Sequence, residues 1–163
     1  MKKNLIILTL LSTSLIGCGF STKGPSVDIK PVPNNINLNN VCVYRSVNTL
    51  SSYDKAGQII ANKLNELKIS NKLTTKDKLT ECSYTLSYDI RRAIEIPTYL
   101  SIMYVQLDDN EGYSVGSIKY SHIVEGGFLT LSSSSFTNTD KKINELLDRF
   151  LNIQSDKGIA NEK

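Results

Sequence analysis

Cys82-Ser83-Tyr84-Thr85-Leu86-Ser87-Tyr88-Asp89-Ile90 alternates apolar or aromatic residues with polar ones. A period of two belongs to a β-strand, and it places Cys82, Tyr84, Leu86, Tyr88 and Ile90 on one face. The pattern continues downstream. Pro97 interrupts before a second strand over residues 99–107. Asp108-Asp109-Asn110-Glu111-Gly112 then supplies hairpin-turn chemistry before a third strand over 113–124. Glu125-Gly126-Gly127 turns the chain again into a fourth strand over 128–136.

On the C-terminal side, Asn138 or Thr139 can cap a helix. Its Ile143, Leu146, Leu147, Phe150 and Leu151 recur at i, i+3, i+4, i+7 and i+8, an apolar stripe of helical period. Upstream, Val41-Cys42-Val43-Tyr44-Arg45-Ser46-Val47 is β-rich. Ser51-Ser52-Tyr53-Asp54 offers N-cap chemistry. A second stripe of Ala56, Ile59, Ile60, Ala61, Leu64 and Leu67 follows, reaching about Lys68. Residues 69–80 are polar and lysine-rich and read as a loop with one short extended piece.

The order is therefore strand, helix, four strands, helix. It predicts an α+β fold in which an antiparallel sheet of about five strands packs both helices on one face. The organisation expected along the chain is a signal segment at 1–17, a tether at 18–40, a single domain at 41–153 and a polar tail at 154–163. The tether assignment rests on Ser21-Thr22-Lys23-Gly24-Pro25-Ser26 and Lys30-Pro31-Val32-Pro33-Asn34-Asn35, which mix breakers with polar residues.

The amino terminus fixes an address. Lys2 and Lys3 precede the short apolar run Leu5-Ile6-Ile7-Leu8-Thr9-Leu10-Leu11, and small residues lead to Leu15-Ile16-Gly17-Cys18. The apolar run is too short to span a bilayer and carries its charge on the exporting side. It resembles the signal of bacterial lipoproteins, with Leu15-Ile16-Gly17-Cys18 as the lipobox. The resemblance implies cleavage before Cys18, lipid on its sulfur and on the new amino terminus, and anchorage in the cell envelope. In that family the residue after the cysteine sorts between membranes, and Gly19 points to the outer one. Several acyl chains at one terminus make such an anchor nearly irreversible, at about 0.8 kcal/mol per buried methylene.

Processing changes the apparent composition. Two of the 19 Lys and Arg lie in the signal, so the mature chain would carry 17 against 16 acids. This near-neutral balance gives no clustered basic face for nucleic acid, and none is expected as a partner. Cys42 and Cys82 are then the remaining cysteines, in an oxidising compartment. A disulfide between them is the parsimonious reading, with two buried thiols as the alternative. A redox pair is disfavoured by the absence of C-x-x-C. In layout the chain resembles small Gram-negative envelope lipoproteins of the LptE and YajG types. The likeness lies in the anchor, in Cys18-Gly19-Phe20, in a helix after a short strand and in a terminal helix after hairpins.

Catalytic chemistry finds little purchase. His122 is the single histidine; without a G-x-S-x-G elbow it reads as a half-exposed strand residue, and Ser132-Ser133-Ser134-Ser135 as a polar strand face. Two cysteines and one histidine cannot build a zinc centre. The run Asp108 to Gly112 lacks the EF-hand spacing and reads as a solvated turn. Gly126-Gly127 precedes a strand and so forms no phosphate cradle. Nothing brings Glu95 and Glu125 to the roughly 5 Å separation a retaining glycosidase needs. No enzyme activity, metal or cofactor is expected.

Tyrosine stands out, with eight and no tryptophan. Tyr44, Tyr84, Tyr88, Tyr99, Tyr104, Tyr113 and Tyr120 all fall in expected strands. Tyrosine favours strands on its own account, but it also suits recognition surfaces. A binding face of Tyr44, Tyr84 and Tyr88, rimmed by Arg91 and Arg92, is the candidate site. The expected function is that of a non-catalytic envelope lipoprotein presenting a surface to an envelope protein partner. A carrier of a small apolar or glycan ligand is the alternative, and a cell-wall hydrolase is the less favoured third.

Overall fold

The computed structural model describes residues 24–79, 81–93, 98–122 and 138–153. The signal segment, Cys18, Glu95, the expected strand over 128–136 with its serine run, and the polar tail lie outside the described residues. The elements are β1 (Ser26–Lys30), β2 (Val41–Arg45), α1 (Ala56–Glu66), β3 (Asn71–Leu73), a 3-10 turn at Lys76–Lys78, β4 (Tyr84–Arg92), β5 (Leu100–Asp109), β6 (Ser114–Ser121) and α2 (Thr139–Phe150).

Among the described residues six strands form one sheet in the order β1-β6-β5-β4-β2-β3. The fold is α+β, as expected, with two helices on one sheet face, but among the described residues the sheet is mixed, and β1 and the short β3 join four of the expected strands. Pairing is antiparallel from β1 through β4, whereas β2 runs parallel to both β4 and β3. The reason lies in the connections. A parallel neighbour needs a crossover, and α1 provides it between β2 and β3. The extra strand at the opposite edge is β1, from the stretch read as tether. It is legible in hindsight, because Ser26-Val27-Asp28-Ile29-Lys30 alternates and its burial alternates with it.

The period of each element decides what it buries. Leu86, Tyr88 and Ile90 of β4, Met103, Val105 and Leu107 of β5, and Ile118 and Tyr120 of β6 face the helices and are buried. Against them α1 sets Ala56, Ile60, Ala61 and Leu64, and α2 sets Ile143, Leu146, Leu147 and Phe150. Each large apolar side chain so covered contributes about 1.5–3 kcal/mol. The segment after β1 is pinned by α2. The Val32 amide donates to the Phe150 carbonyl at 2.8 Å, satisfying one of the carbonyls orphaned at a helix C-terminus. Val32 is buried, and Ile36 and Leu38 pack on the same core.

Capping differs between the helices. The Asn138 side chain accepts the amides of Asp140 at 2.9 Å and Lys141 at 3.5 Å, so the expected cap of α2 is in place. In α1 the residue before the helix is Lys55 and no side chain caps it. Ser51 and Ser52 instead shape a preceding turn, where the Thr49 amide donates to Ser52 Oγ at 2.8 Å.

Candidate functional site

Cys42 and Cys82 are joined by a disulfide, with Cα atoms 5.7 Å apart. The bond ties β2 to the residues entering β4, its parallel neighbour. The loop it closes holds α1 and β3, and in the chain-entropy treatment closing a loop of this length contributes roughly 4 kcal/mol.

The five residues of the expected binding face do not share a face. In the β2–β4 pair, Val41 opposes Tyr84, Val43 opposes Leu86 and Arg45 opposes Tyr88. Tyr84 and Tyr88 therefore point under the helices, where Tyr88 is buried in the core and Tyr84 packs against it. Tyr44, one residue out of phase, faces the opposite side. The signal was in the alternation itself: Tyr84 and Tyr88 share their parity with Leu86 and Ile90, and the apolar parity is the covered one. Tyr120 is buried on the same side, while Tyr104 is 44% exposed on the face away from the helices.

The arginines also part company. Arg91 grips Asp89 with two hydrogen bonds, Nε at 2.9 Å and Nη2 at 2.5 Å, on the side away from the helices. That pairing allows Asp89 to be buried at 5% exposure. It also raises the Arg91 pKa above its ordinary value. The pairing register with β5 shifts between Arg91 and Arg92. Such a shift redirects side chains, and the Arg92 guanidinium lies 4.4 Å from the Tyr53 ring centroid. The Tyr53 hydroxyl in turn donates to Asp140 at 2.5 Å, linking the approach to α1 with the first turn of α2.

What the structure assembles instead is a cleft of about 500 Å³ at the corner of β2, α1 and β3, lined in part by Arg45, Asn48, Asp54, Leu73 and Tyr88. Arg45, the last residue of β2, is its charged centre. Its Nη1 donates to Asn48 Oδ1 at 3.2 Å and Asp54 Oδ1 at 3.3 Å, and its Nη2 to the Tyr53 carbonyl at 3.4 Å. The guanidinium also sits 5.9 Å from the Tyr88 ring centroid. Burial opposes its charge, but Tyr88 and Asp54 more than offset this and leave its pKa raised. Gly57 makes the arrangement possible. A Cβ there would stand 2.6 Å from Tyr88 Oη, so glycine leaves the tyrosine room beneath α1 without a shift. Sequence reading missed Arg45 and Gly57 because neither forms a motif; they converge only through the β2–β4 register.

Other chemistry-bearing residues have local duties. The Asp109 carboxylate accepts the amides of Glu111 at 3.0 Å and Tyr113 at 2.8 Å and so shapes the hairpin turn. Asp108 accepts from Gln106. His122 is partly buried beside Tyr99, with ring centroids 5.2 Å apart, and burial lowers its pKa. Among the described residues no group of three or more His, Cys, Asp or Glu could hold a metal ion.

No protein-family model matches the chain, and no curated sequence relative does either. The fold does have solved neighbours. It is similar to the PelC dodecamer from Paraburkholderia phytofirmans, at a TM-score of 0.51 and 17% identity, covering 78% of this chain and 94% of that one. A leucine-to-methionine variant of the same dodecamer aligns at a TM-score of 0.50 and 17% identity, covering 77% and 95%. The likeness is one of fold.

Proposed function

We propose that this protein is an envelope lipoprotein, anchored through Cys18 in the outer membrane, that acts without catalysis by presenting the Arg45 cleft to an envelope partner. The observation that carries the reading is the cleft itself. It joins a fixed guanidinium, an amide and a carboxylate to an apolar rim in which Leu73 is half exposed on an edge strand. Polar groups that fix orientation beside an apolar contact are what recognition sites combine. Because the neighbours of the fold are PelC dodecamers, further copies of this chain are the first partner to consider.

The carrier alternative draws on the same cleft, whose volume falls within the range of small-molecule sites. Its polar groups favour a hydroxyl-rich glycan over an apolar ligand.

The test uses the tagged, membrane-anchored protein. Crosslinking in the native envelope, with masses read by native mass spectrometry, should yield discrete assemblies that Arg45→Ala and Leu73→Asp weaken. Cys18→Ala should release the protein from the membrane fraction. Assemblies unchanged in both cleft variants, with folding intact, would sink the docking reading. A glycan that protects the cleft variants less than the native chain in thermal shift would support the carrier.

A further inference from the structure

We propose that the end of the sheet bearing Leu50 and Arg92 rests on the bilayer that holds the lipidated amino terminus. The proposal depends on reading Cys18 as an anchor, and three placements carry it beyond that reading. First, β1 begins at Ser26, opposite Ser121 at the end of β6. Eight residue steps separate Cys18 from Ser26, an extended reach of at most about 28 Å.

Second, the β5–β6 hairpin lies at the far end of the sheet. Ile102 opposes Ser121, and strand β5 then runs to Asp109 at the turn. At the rise of a strand this separates the two ends by about 24 Å. The leash enters at the Ser26 end, so that end stays within about 28 Å of the lipid, whereas the hairpin can stand about 24 Å farther off.

Third, an apolar tip occupies that near end. After β2 the chain runs alongside the last residues of β4: the Tyr53 amide donates to the Ile90 carbonyl at 2.8 Å and the Arg92 amide to the Ser51 carbonyl at 3.0 Å. The turn from Thr49 to Ser52 is closed by its own hydrogen bonds. It holds out Leu50 at 102% exposure, with Val47 exposed behind it. A leucine fixed in solvent gains by entering the boundary between headgroups and acyl chains. Arg92, whose amide bonds the Ser51 carbonyl next to Leu50 and whose guanidinium lies 4.4 Å from the Tyr53 ring centroid, carries the fork of donors that suits a lipid phosphate. One leucine cannot anchor a protein; next to an existing anchor, it sets which end faces the lipid.

The chain has no tryptophan, so Leu50→Trp in the full-length, envelope-purified protein gives a single reporter at the tip. Tyr113→Trp gives one at the hairpin. Each is reconstituted into phosphatidylcholine vesicles with brominated acyl chains. Leu50→Trp should emit at shorter wavelength and be quenched several-fold more strongly than Tyr113→Trp. Equal quenching, stronger quenching at the hairpin, or none at either site on protein that floats with the vesicles overturns the orientation and leaves the anchor standing. Intact mass showing no lipid on Cys18, with protein that does not float, removes the anchor and the orientation together.

Discussion

Gly57 shows how one missing methyl group shapes the cleft. Adding it would bring Cβ to 2.6 Å from Tyr88 Oη and 3.3 Å from Leu73 Cδ2. Overpacking of this kind costs about 1–3 kcal/mol, and the better helix propensity of alanine returns about 1. Gly57→Ala should therefore lose roughly 1 kcal/mol in urea unfolding, and adding Tyr88→Phe should recover most of it. If the double variant is no better than the single, the clash is not the cause. Two phenols give a pH signature at the same scale. Burial and then Asp140 push Tyr53 up to about 12, and burial pushes Tyr120 up to about 12. Both are raised above the unfolded value near 10, so the folded state holds these protons longer. Their contribution is complete below pH 10 and is lost as pH rises from about 10 to about 12. Urea midpoints should fall across that window, and Tyr53→Phe should flatten the fall.

The elements owe their positions to a few covalent and capping devices. Reducing the Cys42–Cys82 bond frees the loop that contains α1 and β3, at a cost of about 4 kcal/mol by loop entropy. The reduced protein should melt well below the oxidised one in calorimetry. An equal melting temperature would mean that packing alone holds β2 beside β4. Asn138→Ala should cost about 1 kcal/mol, because it strips the amides of Asp140 and Lys141 of their acceptor. At this scale much was legible. The two helical stripes, the strand containing Tyr84 and the hairpin at Asp109 came from period and turn chemistry, and the structure has all of them. Strand β3 is the short extended piece expected within 69–80, although three residues are too few to show a period and fix its bounds.

The whole molecule depends on a segment that reads as a linker. β1 covers Ile118 and Tyr120 of β6 through Ile29 and Val27, and Val32 plugs against Phe150. Gly116 belongs to this contact, since a Cβ there would stand 2.9 Å from Phe150 and 3.0 Å from the Lys30 carbonyl. A chain starting at residue 41 should lose several kcal/mol of stability, at about 1.5–3 per buried side chain. One starting at residue 24 should match the full-length protein. Equal stability of the two would show β1 to be an ornament of the sheet. The stretch between Cys18 and β1 is correspondingly short, at eight residue steps.

Periodicity and caps are local properties, and the sequence by itself settled what depends on them: two helices, the long strands β4, β5 and β6, and a pair of cysteines. The tertiary structure decided strand order, the parallel placement of β2, the recruitment of β1 and which tyrosines are buried. Those outcomes turn on register and on which sheet face the helices cover. Both are set by contacts between residues far apart in the chain, such as Val41 with Tyr84 and Val32 with Phe150. The Arg45 cleft belongs to that second group, because its guanidinium, its glycine and its tyrosine meet only after the sheet has formed.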